Sequence, residues 1–141
     1  LLDGGDLAAA LAGGFLYLYD GPVQTDPDAA LDVSCHLIQK VSINATSTGL
    51  SFTDPASAGQ LAKASGDVWS GRILVSGTPT QFRWCMGSDT GSGAVSGAAF
   101  RLCGTAGDAA ADPAPEIGFA VVPLTAGNVE VIDSFAIAKP A

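Results

Sequence analysis

A chain of 141 residues fits a single domain whose core can bury about two-thirds of the surface exposed by the unfolded form, so folding needs neither a metal nor a disulfide. Only 14% of residues are charged and the formal net charge is −8, which repels a phosphate backbone or an anionic membrane surface and argues against nucleic-acid and membrane partners. The 48% hydrophobic share leans on alanine, while 18 Gly and 8 Pro predict many turns between short elements, a β-rich pattern.

In chain order, Asp6 followed by an alanine- and leucine-rich run and then Gly13-Gly14 predicts a short helix with an N-cap and a glycine stop. Residues 1–14 are therefore expected to form an N-terminal helical arm on a domain spanning 1–141. Phe15, Tyr17 and Tyr19 alternate before a Gly-Pro turn, a strand pattern, and the Asp-rich segment after them reads as a loop. From Cys35 to Ile43 a half-buried strand is predicted, with Cys35, Leu37, Val41 and Ile43 on one face, His36, Lys40 and Ser42 on the other, and Ile38 out of phase. A turn over 44–49 leads to the short apolar Leu50–Phe52, and a second turn precedes the central segment.

Two strands are expected in that centre. One runs from Val68 with Trp69, Ile73 and Val75 inward, interrupted at Gly71, where a bulge or a close backbone approach is expected. The other runs from Gln81 with Phe82, Trp84 and Met86 inward, and the intervening Ser-Gly-Thr-Pro-Thr reads as the turn of a hairpin. Small-residue loops are predicted over 87–99 and 105–116, separated by a strand at 100–104. The chain closes with strands at 117–122 and then one or two bearing Val129, Val131, Phe135 and Ile137. About eight short strands and one minor helix predict an all-β fold, an antiparallel β-sandwich or small β-barrel.

No catalytic constellation emerges. His36 is the single histidine and follows Cys35 directly, so on a strand the two point to opposite faces and do not form a dyad. Asp26, Asp28 and Asp32 have the alternate carboxylates of a calcium loop but lack the glycine and glutamate that complete it, so no metal site is expected. Cys35, Cys85 and Cys103 are an odd set without a C-x-x-C pair and read as free thiols. The glycine-rich 87–93 carries no G-K-[ST] and no βαβ context, so no cofactor is expected. Asn44 opens a glycosylation triplet that reads as chance, because the amino terminus lacks the basic flank of a secretion signal and synthesis in a cytoplasm is expected. Trp69 and Trp84 read as core residues of the hairpin; with Tyr17 and Tyr19 they would support sugar stacking only if exposed on one surface.

The runs at 11–23, over 61–71 and 77–85, and at 132–141 resemble small virion proteins of tailed bacteriophages. The specific part is the block A-K-A-S-G-D-V-W-S-G followed by F-R-W, with Trp69, Gly71, Phe82 and Trp84 as its signature positions. The resemblance implies a non-enzymatic structural protein: a minor capsid, decoration or cement protein made in the host bacterial cytoplasm. It would bind the major capsid protein on the outside of the shell as a homo-oligomer, dimer or trimer. A tail or head-completion protein, or a carbohydrate-binding host-attachment module, are the alternatives it leaves. Arg72 and Arg83, scarce cations on an acidic chain, are expected to pair with acidic groups within the chain or between subunits.

Overall fold

β1 (Phe15–Tyr19) carries a large apolar or aromatic side chain at every position, a pattern that requires cover on both faces. The computed structural model describes residues 9–52, 60–64, 66–95, 100–132 and 135–138, and in it β1 lies in the middle of a seven-stranded sheet. The other members are β2 (Leu37–Ile43), β4 (Trp69–Arg72), β5 (Gln81–Cys85), β6 (Arg101–Asp108), β7 (Ile117–Phe119) and β8 (Val129–Ile132). Their order is β7-β6-β5-β1-β2-β4-β8, antiparallel throughout except for the parallel β6–β7 pair. β3 (Gln60–Ala62) and β9 (Ala136–Ala138) form a separate antiparallel ribbon. The fold is all-β: the large sheet curls into a half-barrel, with one short helix whose described part is residues 9–11. The predicted cap at Asp6 lies outside the described residues.

The expected central hairpin does not form. β4 and β5 do not pair; β1 and β2 stand between them, so the 73–80 connection crosses two strands instead of turning back tightly. The reason is burial: β1, apolar on both faces, is placed where both of its edges and both of its faces are covered, and the two tryptophan strands flank that centre. Trp69 and Trp84 still meet, with ring centroids 5.6 Å apart, in a concave core shared with Phe52, Phe82 and Phe135. Both indoles are fully buried, and neither N–H finds an acceptor among the described residues, so apolar contact alone holds them. Leu11, from the helical turn, closes against the same core, and Gly13 ends that turn at φ +84°.

Gly71 is required by a close backbone approach, as expected. A Cβ there would run into the carbonyl oxygen of Lys40 on β2. Gly14 answers to the same constraint against the Trp84 indole. In β2 the anticipated irregularity at Ile38 is a β-bulge: Tyr19 pairs with Leu37 and Leu18 with Gln39, leaving Ile38 as the extra residue. The bulge shifts the phase, so Ile38 and Val41 both enter the concave core while Cys35 and Leu37 pack on the opposite side.

Other boundaries differ. β6 continues to Asp108 through a segment expected to be loop, because Ala106 and Gly107 are buried and pair with β7. Leu50 and Phe52 make isolated bridges, to Gly14 and Lys63, rather than a strand, and β3 is an addition to the predicted set. The strand ends at Arg72, so Val75 is exposed. Val129 and Val131, assigned to a closing strand, are 52% and 44% exposed, and β8 buries Ile132 instead. The 87–99 loop is described only to residue 95.

Candidate functional site

The convex face of the sheet gathers most of the chain's polar chemistry, and strand register arranges it in rows. One row crosses six strands. Cys103 pairs with Arg83, Arg83 with Tyr17, and Tyr17 with Lys40. The Ser42–Ser70 pair and the Gln39–Ile73 bridge place Lys40 opposite Arg72, and Arg72 pairs with Val129. Directly opposed residues share a face, so these side chains stand side by side.

At the β6-β5-β1 end this face is covered by two loops. Arg83 is completely buried beneath them, and its guanidinium donates from Nη1 to the carbonyls of Ala29 (2.7 Å) and Gly91 (2.8 Å) and from Nη2 to that of Asp26 (3.1 Å). This corrects the expectation of an ion pair for Arg83: among the described residues no carboxylate meets it. The planar fork instead gathers three carbonyls of the covering loops, of which that of Asp26 also accepts the Ala29 N–H. Burial and the neighbouring Arg101 lower its pKa from the ordinary value. Arg101 makes the acidic pair in its place, donating to Asp89 through Nε and Nη2 at 2.6 Å each, and reaching the Pro27 carbonyl with Nη1. That bidentate contact holds the Asp89 carboxyl below the usual carboxylate range.

The loops also bind each other, through Leu31 N–H to the Ser92 carbonyl and Val95 N–H to the Asp28 carbonyl. Below them Tyr19 donates to the Thr90 carbonyl at 2.6 Å, and Gln81 spans the Pro22 carbonyl and the Gln24 N–H. Burial pushes the Cys85 thiol and the Tyr17 phenol up to about 12 each. Tyr17, Tyr19 and both tryptophans are 4% exposed or less, so the rings that a sugar-stacking surface would need are interior.

The Asp-rich loop spends its carboxylates locally. Asp26 accepts from the Asp28 N–H, and Asp32 accepts from both the N–H and the hydroxyl of Ser34. Among the described residues no three potential metal ligands come together. His36 is exposed and its Nδ1 lies 3.1 Å from Asp20, while Cys35 contacts Gln81 and the Pro22 carbonyl on the inner side of the loop. The two neighbours are not a dyad.

At the β2-β4-β8 end the same face is uncovered. Lys40 and Arg72 are exposed, and among the described residues neither pairs with a carboxylate. Both are nonetheless held. The Lys40 ammonium lies 4.1 Å from the Phe15 ring centroid, and Arg72 donates to the Gly127 carbonyl at 3.0 Å. Val129 and Val131 extend this surface to the terminal strand. The ammonium leans toward β1 and the guanidinium toward the turn before β8, so this end holds two separately anchored cations on an exposed, partly apolar surface. The sequence pattern marked Arg72 but not its partner, and strand register supplies the pairing. Protein-family models, curated proteins and solved structures offer no match to this chain.

Proposed function

We propose that the chain is a non-enzymatic structural component of a tailed-phage virion, a minor capsid protein that decorates the outside of the major capsid shell and stabilises it. One observation carries this reading: the residues that bear the resemblance are those around which the fold is organised. Trp69, Phe82 and Trp84 lie in one concave core, and Gly71 lets β4 lie against β2. A signature of this kind specifies a scaffold that presents surface. Binding only to the assembled shell would stabilise it by mass action, and repetition over a lattice would multiply weak contacts through avidity.

The test is the composition of purified virions. Quantitative mass spectrometry should find the chain at a fixed ratio to the major capsid protein, and antibody-gold labelling should decorate the heads. A few copies per particle, or label confined to the tail, would overturn the capsid placement. Absence from purified particles would overturn the virion reading as a whole.

A further inference from the structure

We infer that the Lys40–Arg72 surface is a docking site for a second copy of this chain, which presents the acidic turn between β6 and β7. This deepens the homo-oligomer element of the proposed function and rests on its premise that the chain works in several copies. The argument begins with charge. Of the basic side chains on the convex face among the described residues, Arg83 is spent on carbonyls and Arg101 on Asp89, which leaves Lys40 and Arg72 facing outward. Their backbones stand opposite each other, and each side chain is fixed by a separate contact, Lys40 toward Phe15 and Arg72 toward Gly127, so a segment carrying two carboxylates can meet each cation with one. An anionic partner supplies the counter-charge that neither cation has among the described residues.

The complement lies at the other end of the same sheet. From residue 102 to residue 138 the sequence contains no lysine or arginine. Asp108, at the end of β6, and Asp112 and Glu116, on the segment that joins β6 to β7, are all exposed, and the Asp108 carboxylate accepts locally from the Ala110 N–H. Apolar surface accompanies charge at both ends: Val129 and Val131 beside the cations, and Val121, 76% exposed, just after β7. Each copy thus carries a cationic end and an acidic end on opposite borders of one sheet. The contact is head to tail, which closes into a ring or continues as a chain according to its rotation.

Sedimentation velocity of the purified full chain tests the interface apart from any particle. Self-association is expected to rise with concentration and to weaken in about 1 M salt, where screening acts within roughly 3 Å. Arg72→Glu alone and Asp112→Lys/Glu116→Lys alone should each weaken it by about tenfold or more, the scale of a close interfacial charge pair. Mixing the two variants should restore assembly, because each then supplies the end that the other lacks. A wild-type chain that stays monomeric throughout overturns the inference, including the case where another acidic protein binds through Arg72. So does an association that both charge reversals leave unchanged. Failure here leaves the virion measurement untouched, and absence from virions leaves this one untouched.

Discussion

Arg83 and Arg72 occupy the same cross-strand row on the same face of one sheet, separated by Tyr17 and Lys40, yet one is buried and the other exposed. Two loops cover the first, and it has become a staple that gathers the carbonyls of Asp26, Ala29 and Gly91. Nothing among the described residues covers the second, which keeps its charge available for contact. What a cation does here is therefore set by cover rather than by residue type or strand position. Burying a guanidinium costs least when its donors are occupied; carbonyls from two loops take three of its hydrogen bonds through Nη1 and Nη2, while its Nε–H meets no acceptor among the described residues.

If cover decides, the largest loss should come from the face that is most completely sealed. Trp69→Ala is expected to lower unfolding free energy by about 3–5 kcal/mol, read from urea denaturation, because a fully buried ring leaves a cavity among Phe52, Trp84 and Phe135. A cost below about 1 kcal/mol would mean that the ring contributes as a surface group does and would break the comparison at its reference point.

Arg83→Met comes next, at about 2–4 kcal/mol, since it leaves three carbonyls without their charged donor. The same substitution has a local signature. Cys85, its thiol pushed up to about 12 beneath the loops, should resist alkylation in the wild type and become labelled in the variant at denaturant levels that leave the tryptophan core folded. Equal labelling of the two proteins would show that Arg83 does not hold the cover down.

Asp89→Asn probes the second staple, with an expected cost of about 1–3 kcal/mol at neutral pH for a contact whose arginine is buried and whose carboxylate is partly so. Arg101 lowers the folded-state pKa of Asp89, so the unfolded chain binds that proton more readily. The stabilisation is therefore fully present above the ordinary carboxylate value near 4 and is lost as pH falls through the lower folded value. The gap between wild-type and Asp89→Asn denaturation midpoints should be widest near pH 7 and close toward pH 2. A gap independent of pH would mean that the carboxylate charge is not what Arg101 uses.

Much of this was legible before any fold was seen. The run Phe15–Tyr19, with no polar residue to turn toward solvent, announces a strand covered on both sides, and period-2 alternation correctly sets Arg83 opposite to Phe82 and Trp84. Alternation cannot say what lies above a face, however, so it gave no sign that loops distant in sequence bury Arg83 and meet it with carbonyls instead of the expected acidic partner. Nor can it say which strands pair. The turn signals between β4 and β5 suit a hairpin, but a strand apolar on both faces gains more from the middle of the sheet, and that long-range preference separates the two. In β2 the out-of-phase Ile38 was the visible trace of a bulge whose effect, sending neighbours to different faces, becomes definite only against β1.

The smallest expected effect is also the sharpest contrast. Arg72→Gln removes a cation of the same type, from the same row, as Arg83→Met does, but from the uncovered end, where Lys40 stands opposite and solvent replaces the Gly127 contact. No buried acceptor is orphaned, so stability should change by no more than about 0.5 kcal/mol. That small change should shrink further as salt screens the charges of the exposed end, whereas the Arg83→Met loss, arising under cover, should stay nearly constant across the same range. Denaturation midpoints of the two variants measured along one salt series make the test. Parallel lines would mean that the two ends of the row experience the same environment, and a loss of about 2 kcal/mol or more for Arg72→Gln would make it a structural staple like its neighbour rather than a group held ready for contact.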